Sequence, residues 1–177
     1  LGQVANVLRI LRDREWLTDE DSGVKLAAPA ELLAEWTASY NFKKNVATDY
    51  YSLESPVEIE KTLGSILNDR GIRYALTGFS GAARVSPAVR YQRVMAFVEA
   101  MPEDALARLK LKPVDSGANV TILSPYDEGV FYGAETVDDL QVVHPIQLYL
   151  DLRNFKGRGE EAAAAILGDI ILPSWKI

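Results

Sequence analysis

The residues of this sequence that could take part in chemistry begin at Gly78, where the apolar run IRYAL meets the segment TGFSGAARV. The pattern predicts a strand that turns at Gly78 and Ser80 into a helix of small residues. A glycine at such a corner lets the backbone approach a phosphate, and the first N–H groups of a helix bind anions. Strand–Gly-x-Ser–helix corners of this kind open the active sites of nucleotidyl-transfer enzymes. Gly78, Ser80 and Gly81 are therefore candidate anion-binding residues, with a tight structural turn as the alternative.

Nucleotidyl transfer also requires carboxylates, and none stands where the corner predicts them. Carboxylates must hold two Mg²⁺ ions. In nucleotidyltransferase folds these acids stand two positions apart on the next strand, about ten residues past the corner. That segment reads AVRYQRVMAFVE, and the expected positions hold Arg90, Tyr91, Gln92 and Arg93. A guanidinium repels the metal ions that a carboxylate would bind. We interpret the corner as a nucleotidyltransferase scaffold that has lost its catalytic chemistry.

Two alternatives stay open. In the first, the chain is an active Mg²⁺-dependent nucleotidyltransferase that uses the scattered acids Glu99, Asp138 or Asp139. Such acids would have to lie close together, because two-metal sites hold their ions only ~4 Å apart. In the second, residues 78–81 bind a nucleotide or another anion without chemistry, as a sensing module.

Other residue types that form active sites are scarce. The chain has one histidine, His144, and no cysteine, so we expect neither a metal site nor a cofactor. His144 precedes a proline at a strand-to-helix junction without a nearby nucleophile, and we interpret it as structural. Asp151 lies on a mostly apolar helix and is interpreted as part of a structural ion pair, with a functional site as the alternative. Its candidate partners are Arg73, Arg84 and Arg153.

A second group of candidate residues lies at the start of the chain. The segment LGQVANVLRILRDREWL has apolar residues at helical spacing and places Gln3, Asn6 and Arg9 on the opposite face. Glutamine and asparagine bind adenine edges in the major groove, and arginine binds guanine. Lys25, in the hairpin that follows, has the reach to contact phosphate. These four residues are candidate DNA-binding residues, with an ordinary solvated helix face as the alternative.

The predicted elements form two modules. Residues 1–47 read as a helix, a two-stranded hairpin around a polar turn at 19–23 and a second helix, followed by a linker at 41–48. This order is the back half of a winged helix. Residues 48–177 alternate strands and helices, and strands are expected at 90–99 and 129–135. The apolar character of the strand at 90–99 indicates that other elements cover both of its faces. The fold class is α/β (α+β): a partial winged helix followed by a nucleotidyltransferase-like mixed-sheet domain with flanking helices.

Composition limits the class of protein. The 177 residues, 48% hydrophobic and 25% charged, fit a folded protein with its own core. No apolar run approaches the ~20 residues of a membrane helix, and the absence of cysteine fits a reducing cytoplasm. The net charge of −6 argues against a general nucleic-acid coat. Residues 1–47 are nearly balanced, with six basic and seven acidic residues, so a local DNA-reading face there is compatible with the charge.

Five stretches of the chain resemble the AbiEi-type antitoxins of bacterial abortive-infection systems, which are type IV toxin–antitoxin systems. They are LGQVANVLRILRDREWL, LLAEWTASY, YALTGFSGAARVSP, NVTILSP and VVHPIQLYLDLRNFKGRGEEAAAAIL, of which the last is the most specific. The resemblance implies a winged-helix DNA-binding part and a nucleotidyltransferase-like domain without a catalytic role, so that the protein is not an enzyme. It also implies that the protein represses its own operon and counters a toxin that is itself nucleotidyltransferase-like. The implied partners are therefore operator DNA and a cognate toxin, with no membrane.

The resemblance implies helices upstream of residue 1 as well. A winged helix has two helices before its recognition helix, whereas this sequence opens at about that helix. We therefore expect the intact protein to be longer, and the resemblance does not imply that the present chain binds DNA by itself.

Overall fold

The computed structural model describes residues 2–20, 23–86 and 90–175, and the chain divides into two compact units, Leu1–Tyr40 and Asn41–Ile177. The sequence predicts a boundary at 47/48, after an irregular linker. Residues 41–48 instead hold a 3₁₀ helix, Phe42–Lys44, and the start of a strand at Val46. The 3₁₀ helix forms because the Asn41 side chain accepts a hydrogen bond from the Lys43 N–H at 3.1 Å.

The smaller unit has the predicted order of helix, hairpin and helix. Its elements are α1 Gly2–Asp13, β1 Leu17–Glu20, β2 Gly23–Leu26 and α2 Pro29–Ser39. The two strands pair antiparallel, with Leu17 opposite Leu26 and Glu20 opposite Gly23. Proline begins α2 because its fixed φ suits the first helical position and its missing N–H is not needed there. Among the described residues of this unit only Leu33 is a buried hydrophobic residue.

The larger unit contains a seven-stranded mixed sheet. Its strands are β3 Val46–Tyr51, β4 Tyr74–Leu76, β5 Val94–Val98, β6 Lys112–Pro113, β7 Val120–Ser124, β8 Glu135–Val137 and β9 Leu140–Val142. Their order in the sheet is β6-β3-β7-β5-β4-β9-β8. The pairs β5–β7 and β4–β9 are parallel and the other pairs are antiparallel. The α/β fold class is thus confirmed at the level of a mixed sheet with flanking helices.

The helices of this unit are α3 Pro56–Asp69, α4 Gly78–Val85, α5 Glu103–Arg108, α6 Pro145–Leu152, α7 Arg158–Ile166 and α8 Leu172–Ser174. A π-helical segment, Leu167–Ile171, joins the last two. Helix α3 starts at a capping box, in which the Ser55 hydroxyl accepts from the Glu58 N–H at 3.3 Å and the Glu58 carboxylate accepts from the Ser55 N–H at 3.2 Å.

Both faces of the sheet are covered at its central strand β5. Leu63 and Leu67 of α3, together with residues of α5, pack against Val94, Ala96 and Val98 of β5 on one face. Met95 and Phe97 alternate with them and are buried on the other face, where α4 begins. The expected cover on both faces of this strand is therefore confirmed for Val94–Val98.

Two predicted strands differ from the structure. The strand expected at 90–99 begins only at Val94, because its partner β7 begins at Val120 and leaves the preceding residues without a ladder. The strand expected at 129–135 is wrong over most of its length. A 3₁₀ helix, Glu128–Phe131, starts there because the Asp127 carboxylate accepts from the Gly129 N–H at 2.7 Å, and β8 follows at Glu135.

In the part of the chain that the structure describes, every helix is too short or too polar to traverse a lipid bilayer.

Candidate functional site

The corner between β4 and α4 requires glycine for steric reasons. Gly78 has φ of +55°, a left-handed conformation that favours glycine. A Cβ at this position would lie 2.7 Å from Sδ of Met95. The preceding backbone is fixed to β5, because the Thr77 N–H donates to the Met95 carbonyl at 2.9 Å. The Met95 thioether therefore fills the space directly in front of the corner.

Ser80 and Gly81 also hold the corner against the sheet. The Ser80 side chain is fully buried, and its Oγ lies 3.0 Å from the carbonyl oxygens of Thr77 and Met95 and 3.0 Å from the Met95 N–H nitrogen, from which it accepts. A Cβ on Gly81 would lie 2.9 Å from the Leu76 carbonyl oxygen. These contacts give all three residues a packing role, and their role in anion binding stays a prediction.

The residue that faces the corner is Met95, and not one of the four residues 90–93 where we expected the acids. Met95 stands opposite Thr121 of β7, and Thr121 stands opposite Asp49 of β3, so the three side chains share one face of the sheet. The Thr121 hydroxyl donates to Asp49 Oδ1 at 2.6 Å. This row therefore offers a thioether, a hydroxyl and a single carboxylate beside the corner.

The side chains before β5 make structural contacts. Arg93 donates from Nε and Nη2 to the Ala118 carbonyl at 3.1 and 3.0 Å, and its Nη2 lies 3.9 Å from Asp49 Oδ2. The Tyr91 hydroxyl donates to the Glu60 carboxylate at 2.8 Å. A guanidinium is thus the charged group nearest to the only carboxylate of the Met95–Thr121–Asp49 row, and it opposes a metal ion there.

Glu60 forms a buried polar cluster that we did not predict. Its side chain is fully buried in α3, and Oε2 accepts from Arg84 Nη2 and from the Tyr91 hydroxyl. Oε1 is buried without a hydrogen-bond partner among the described residues. Burial raises the pKa of Glu60, although the hydrogen bonds from Arg84 and Tyr91 lower it. Burial, followed by the hydrogen bond to Glu60, raises the pKa of Tyr91 to about 12.

The acids of the alternative metal site lie apart. Asp138 and Asp139 have φ of +49° and +64° and form the two-residue turn between β8 and β9, as in a type I′ hairpin. Glu99 follows β5 and binds Arg73 at 2.7 Å. Strand β4 separates β5 from β9, which places the two strands about 10 Å apart. Asp138 lies 3.5 Å from Arg84.

His144 and Asp151 have structural contacts. The Nδ1 atom of His144 accepts from the Ile146 N–H at 3.2 Å, so the ring caps the start of α6. Asp151 is fully buried and accepts from the Thr77 hydroxyl at 2.5 Å and from the Gln147 amide at 2.9 Å. The candidate partners Arg73 and Arg84 pair with Glu99 and Glu60 instead.

A cavity of about 350 Å³ opens beside the start of β4, lined among others by Arg73, Tyr74, Phe131 and Gln141. Glu99 and Glu128 both pair with Arg73, at 2.7 and 3.0 Å, which neutralises the cation that an anionic ligand would use. Among the described residues no group of three or more acidic, histidine or cysteine side chains is placed to hold a metal ion.

The candidate DNA-binding residues lie in the smaller unit. Asn6 and Arg9 are exposed on α1, and Arg9 donates to the Asn6 amide oxygen at 2.9 Å. Arg9 also lies 3.4 Å from Asp13, and Lys25 on β2 lies 3.4 Å from Glu20 on β1. Gln3 belongs to α1, but its side chain lies outside the described residues. The structure thus brings Asn6 and Arg9 together and places Lys25 on the hairpin.

Every basic side chain of the smaller unit has an acidic neighbour. Arg12 pairs with Asp19 at 3.2 Å and Arg14 pairs with Glu35, in addition to the pairs of Arg9 and Lys25. Residues 1–40 contain four basic and seven acidic residues, a net charge of −3. A phosphate contact by any of these cations therefore competes with a carboxylate already in place.

Comparison with known proteins places the larger part of the chain in one family. The family model described as transcriptional regulator, AbiEi antitoxin, type IV toxin–antitoxin system, matches residues 25–172, which leaves α1 outside the match. No curated protein and no solved structure shows a significant match. The chain therefore belongs to the AbiEi antitoxin family, the transcriptional regulators of type IV toxin–antitoxin systems.

Proposed function

We propose that the smaller unit of this antitoxin reads operator DNA and that the larger unit is a nucleotidyltransferase-like scaffold without a catalytic role. The family supplies the general role of regulator and antitoxin. The proposal assigns operator reading to the smaller unit and the non-catalytic scaffold to the larger one. It also places the protein in the cytoplasm, where it acts on its own operon. Its proposed partners are operator DNA and a cognate nucleotidyltransferase-like toxin.

The observation that carries the non-catalytic role is the row of side chains in front of Gly78. Two-metal transfer needs several carboxylates directed at the phosphate-binding corner. Met95 occupies the position that faces the corner, its neighbour on the sheet is Thr121, and Asp49 is hydrogen-bonded by Thr121 and lies 3.9 Å from Arg93. A thioether binds Mg²⁺ poorly, since this hard cation prefers oxygen ligands.

A pyrophosphate-release assay tests this part of the proposal. The protein is incubated with Mg²⁺ and each of the four nucleoside triphosphates, with and without RNA as acceptor. We expect no release above the protein-free blank. Mg²⁺-dependent release that Asp49→Asn abolishes would contradict the proposal, and loss of that release in Glu99→Gln would favour the enzyme that uses scattered acids.

The proposed reading surface is the exposed face of α1 with Gln3, Asn6 and Arg9, and the wing is the β1–β2 hairpin with Lys25. The order of helix, hairpin and helix supports the proposal, as does the exposed Asn6–Arg9 pair, whose groups suit base edges. The acidic neighbours Asp13 and Glu20 weaken non-specific attraction to phosphate. Binding would consequently depend more on base contacts than on charge.

Operator binding by the full-length protein tests the DNA-reading part. Fluorescence anisotropy compares its binding to DNA from upstream of its own gene with its binding to a scrambled duplex at several salt concentrations. We expect operator binding at least ~10³-fold tighter than binding to the scrambled duplex. Equal and weak binding to both would overturn the assignment of α1 as a reading helix.

Anion sensing at Gly78, Ser80 and Gly81 is the remaining alternative. The buried Ser80 hydroxyl, whose hydrogen bonds go to the backbone of Thr77 and Met95, does not favour it. Calorimetric titration with nucleotides and inorganic phosphate decides between a structural corner and an anion-sensing corner. A flat titration is expected, and heat of binding that Gly81→Ala removes would support sensing.

A further inference from the structure

The larger unit carries a surface on which cations without a carboxylate partner accompany half-buried aromatic rings. Half of the described Lys and Arg side chains form ion pairs with a carboxylate within 4.0 Å. Most of the others lie around three half-buried phenylalanine rings, Phe42, Phe79 and Phe155. The six cations concerned are Lys43, Lys44, Arg90, Arg153, Lys156 and Arg158. We call these rings and cations the basic–aromatic surface.

Direct contacts hold this surface together. The Phe155 ring centroid lies 5.5 Å from that of Phe42, at an interplanar angle of 68°, and 5.7 Å from that of Phe79. The Arg158 guanidinium lies 5.7 Å from the Phe79 ring centroid and donates to the Arg90 carbonyl at 2.6 Å. The rings thus form a continuous row with a cation at one end.

The remaining cations are neighbours of these rings in the chain. Lys43 and Lys44 follow Phe42, while Arg153 and Lys156 flank Phe155, and all four are exposed. The acids nearest in sequence, Glu160 and Glu161, form no ion pair with any described cation of the surface. In a protein of net charge −6, this is a local concentration of uncompensated positive charge.

We propose that the basic–aromatic surface binds a single strand of nucleic acid, whose phosphates meet the cations and whose unstacked bases stack on the phenylalanine rings. Proteins that bind single strands combine these two features, a cationic track and aromatic platforms. A duplex would use only the cations, because its bases are stacked inside and present no free faces to the rings. The row of three rings is therefore the observation that selects a single strand.

This function is separate from operator reading by α1. None of the residues of the basic–aromatic surface belongs to the smaller unit, and Phe79 directly follows the corner glycine Gly78. The surface thus adjoins the corner that has no metal-binding acids. Loss of operator binding in the smaller unit would leave this proposal standing, and its own failure would leave operator reading untouched.

The test measures anisotropy of labelled single-stranded RNA and DNA of about 12 nucleotides, a length within the range that single-strand modules cover. A duplex of the same sequence and a phosphorylated acidic peptide are the competing ligands. The double variant Arg158→Ala/Lys156→Ala removes two cations of the surface. The matched control, Arg108→Ala/Lys61→Ala, removes one exposed arginine and one exposed lysine from α5 and α3, which pack on the opposite face of the sheet.

We expect the wild-type protein to bind a single strand of RNA or DNA more tightly than the duplex or the peptide. Arg158→Ala/Lys156→Ala should weaken the affinity for the single strand about 10-fold. It should also lower the slope of log affinity against log salt by about 1.4, the value for two phosphates of a single strand. The control variant should change the affinity less than about 2-fold. Phe155→Leu keeps an apolar side chain but removes the ring, and should weaken binding at least ~5-fold. Circular dichroism and thermal melting check that each variant is folded. Because Arg158 and Lys156 are exposed, the double variant does not disturb the hydrophobic core.

Four results would overturn the proposal. They are no binding to either single strand, equal or tighter binding to the duplex or the peptide, equal weakening by the control pair, and a wild-type affinity in folded Phe155→Leu. The last result would leave a phosphate-binding surface without base stacking, which is a different assignment.

Discussion

The two units of this antitoxin differ in how many of their cationic side chains have a carboxylate partner. In the smaller unit each described Lys and Arg has a carboxylate partner, and Leu33 is the only buried hydrophobic residue among those that the structure describes there. In the larger unit two helical layers bury both faces of β5, yet six cations around three phenylalanine rings have no carboxylate partner. The unit with the larger core therefore also carries the larger unneutralised positive surface.

This contrast bears on where nucleic acid binds. Positive charge drives non-specific attraction to phosphate, whereas hydrogen-bonding groups on a helix face give selectivity for bases. The smaller unit, with net charge −3 and the exposed Asn6–Arg9 pair, fits selective reading. The larger unit fits attraction to a phosphate backbone.

The largest expected effect separates the two cores. Phe97→Ala removes a fully buried ring from the larger unit and should lower the free energy of unfolding by about 3–5 kcal/mol. Leu33→Ala should cost only about 2 kcal/mol, because every other described apolar side chain of its unit is at least partly exposed. Urea unfolding followed by tryptophan fluorescence distinguishes the units, since Trp16 and Trp36 lie in the smaller one and Trp175 in the larger one. Equal losses in a single transition would show that the units unfold as one.

The next effect concerns the buried charge of the larger unit. Glu60→Ala leaves Arg84 without its buried partner and should cost about 3 kcal/mol at neutral pH. Glu60→Gln, the matched control, keeps an acceptor and should cost less. Thermal melting of both variants checks the difference, and equal losses would show that shape rather than charge accounts for the effect.

The pH dependence of Glu60 has a definite sign. Burial raises its pKa in the folded state, so the folded protein binds more protons than the unfolded chain above the ordinary glutamate pKa. The stability that protonation of Glu60 contributes is complete below that ordinary value and is lost as pH rises through the raised pKa. Glu60→Gln should therefore gain stability relative to wild type as pH rises from 4.5, the ordinary pKa, to neutral. A difference that does not change with pH would contradict the shift.

A smaller effect is expected at the corner. Gly78→Ala introduces a left-handed alanine and a Cβ that meets Met95 Sδ, and should cost about 2 kcal/mol. Gly117→Ala, also at positive φ but with open space around it, should cost only about 1 kcal/mol. Chemical denaturation measures both. If the two cost the same, the close approach to Met95 has no energetic consequence.

Much of the fold followed from short-range signals in the sequence. The Ser55–Pro56 start of α3, the proline at the start of α6 and the helical spacing of α1 each depend on local chemistry, and the structure has helices at all three. The prediction of a strand at 90–99 was too long, because the start of β5 depends on where β7 begins, far away in the chain. The local sequence pattern carries no information on the pairing of β5 with β7.

The site was harder to predict for the same reason. The residue that faces the corner is Met95, which only the register between β4, β5 and β7 determines. Glu60 had a signal that we did not use, because it stands at helical spacing with Leu63 and Leu67 on the apolar face of α3. The basic–aromatic surface joins residues of the segments 42–44, 79, 90 and 153–158, which no local pattern connects.

Operator reading by α1 of the smaller unit is tested most directly by the operator anisotropy of Arg9→Ala beside that of Arg158→Ala, both made in the full-length protein. We predict that Arg9→Ala weakens operator binding by about 1–3 kcal/mol and leaves the scrambled duplex nearly unchanged, because a base contact is lost. Arg158→Ala, in the larger unit, should leave the ratio of the two affinities unchanged. If Arg9→Ala weakened neither duplex, or both equally, α1 would not be the reading helix.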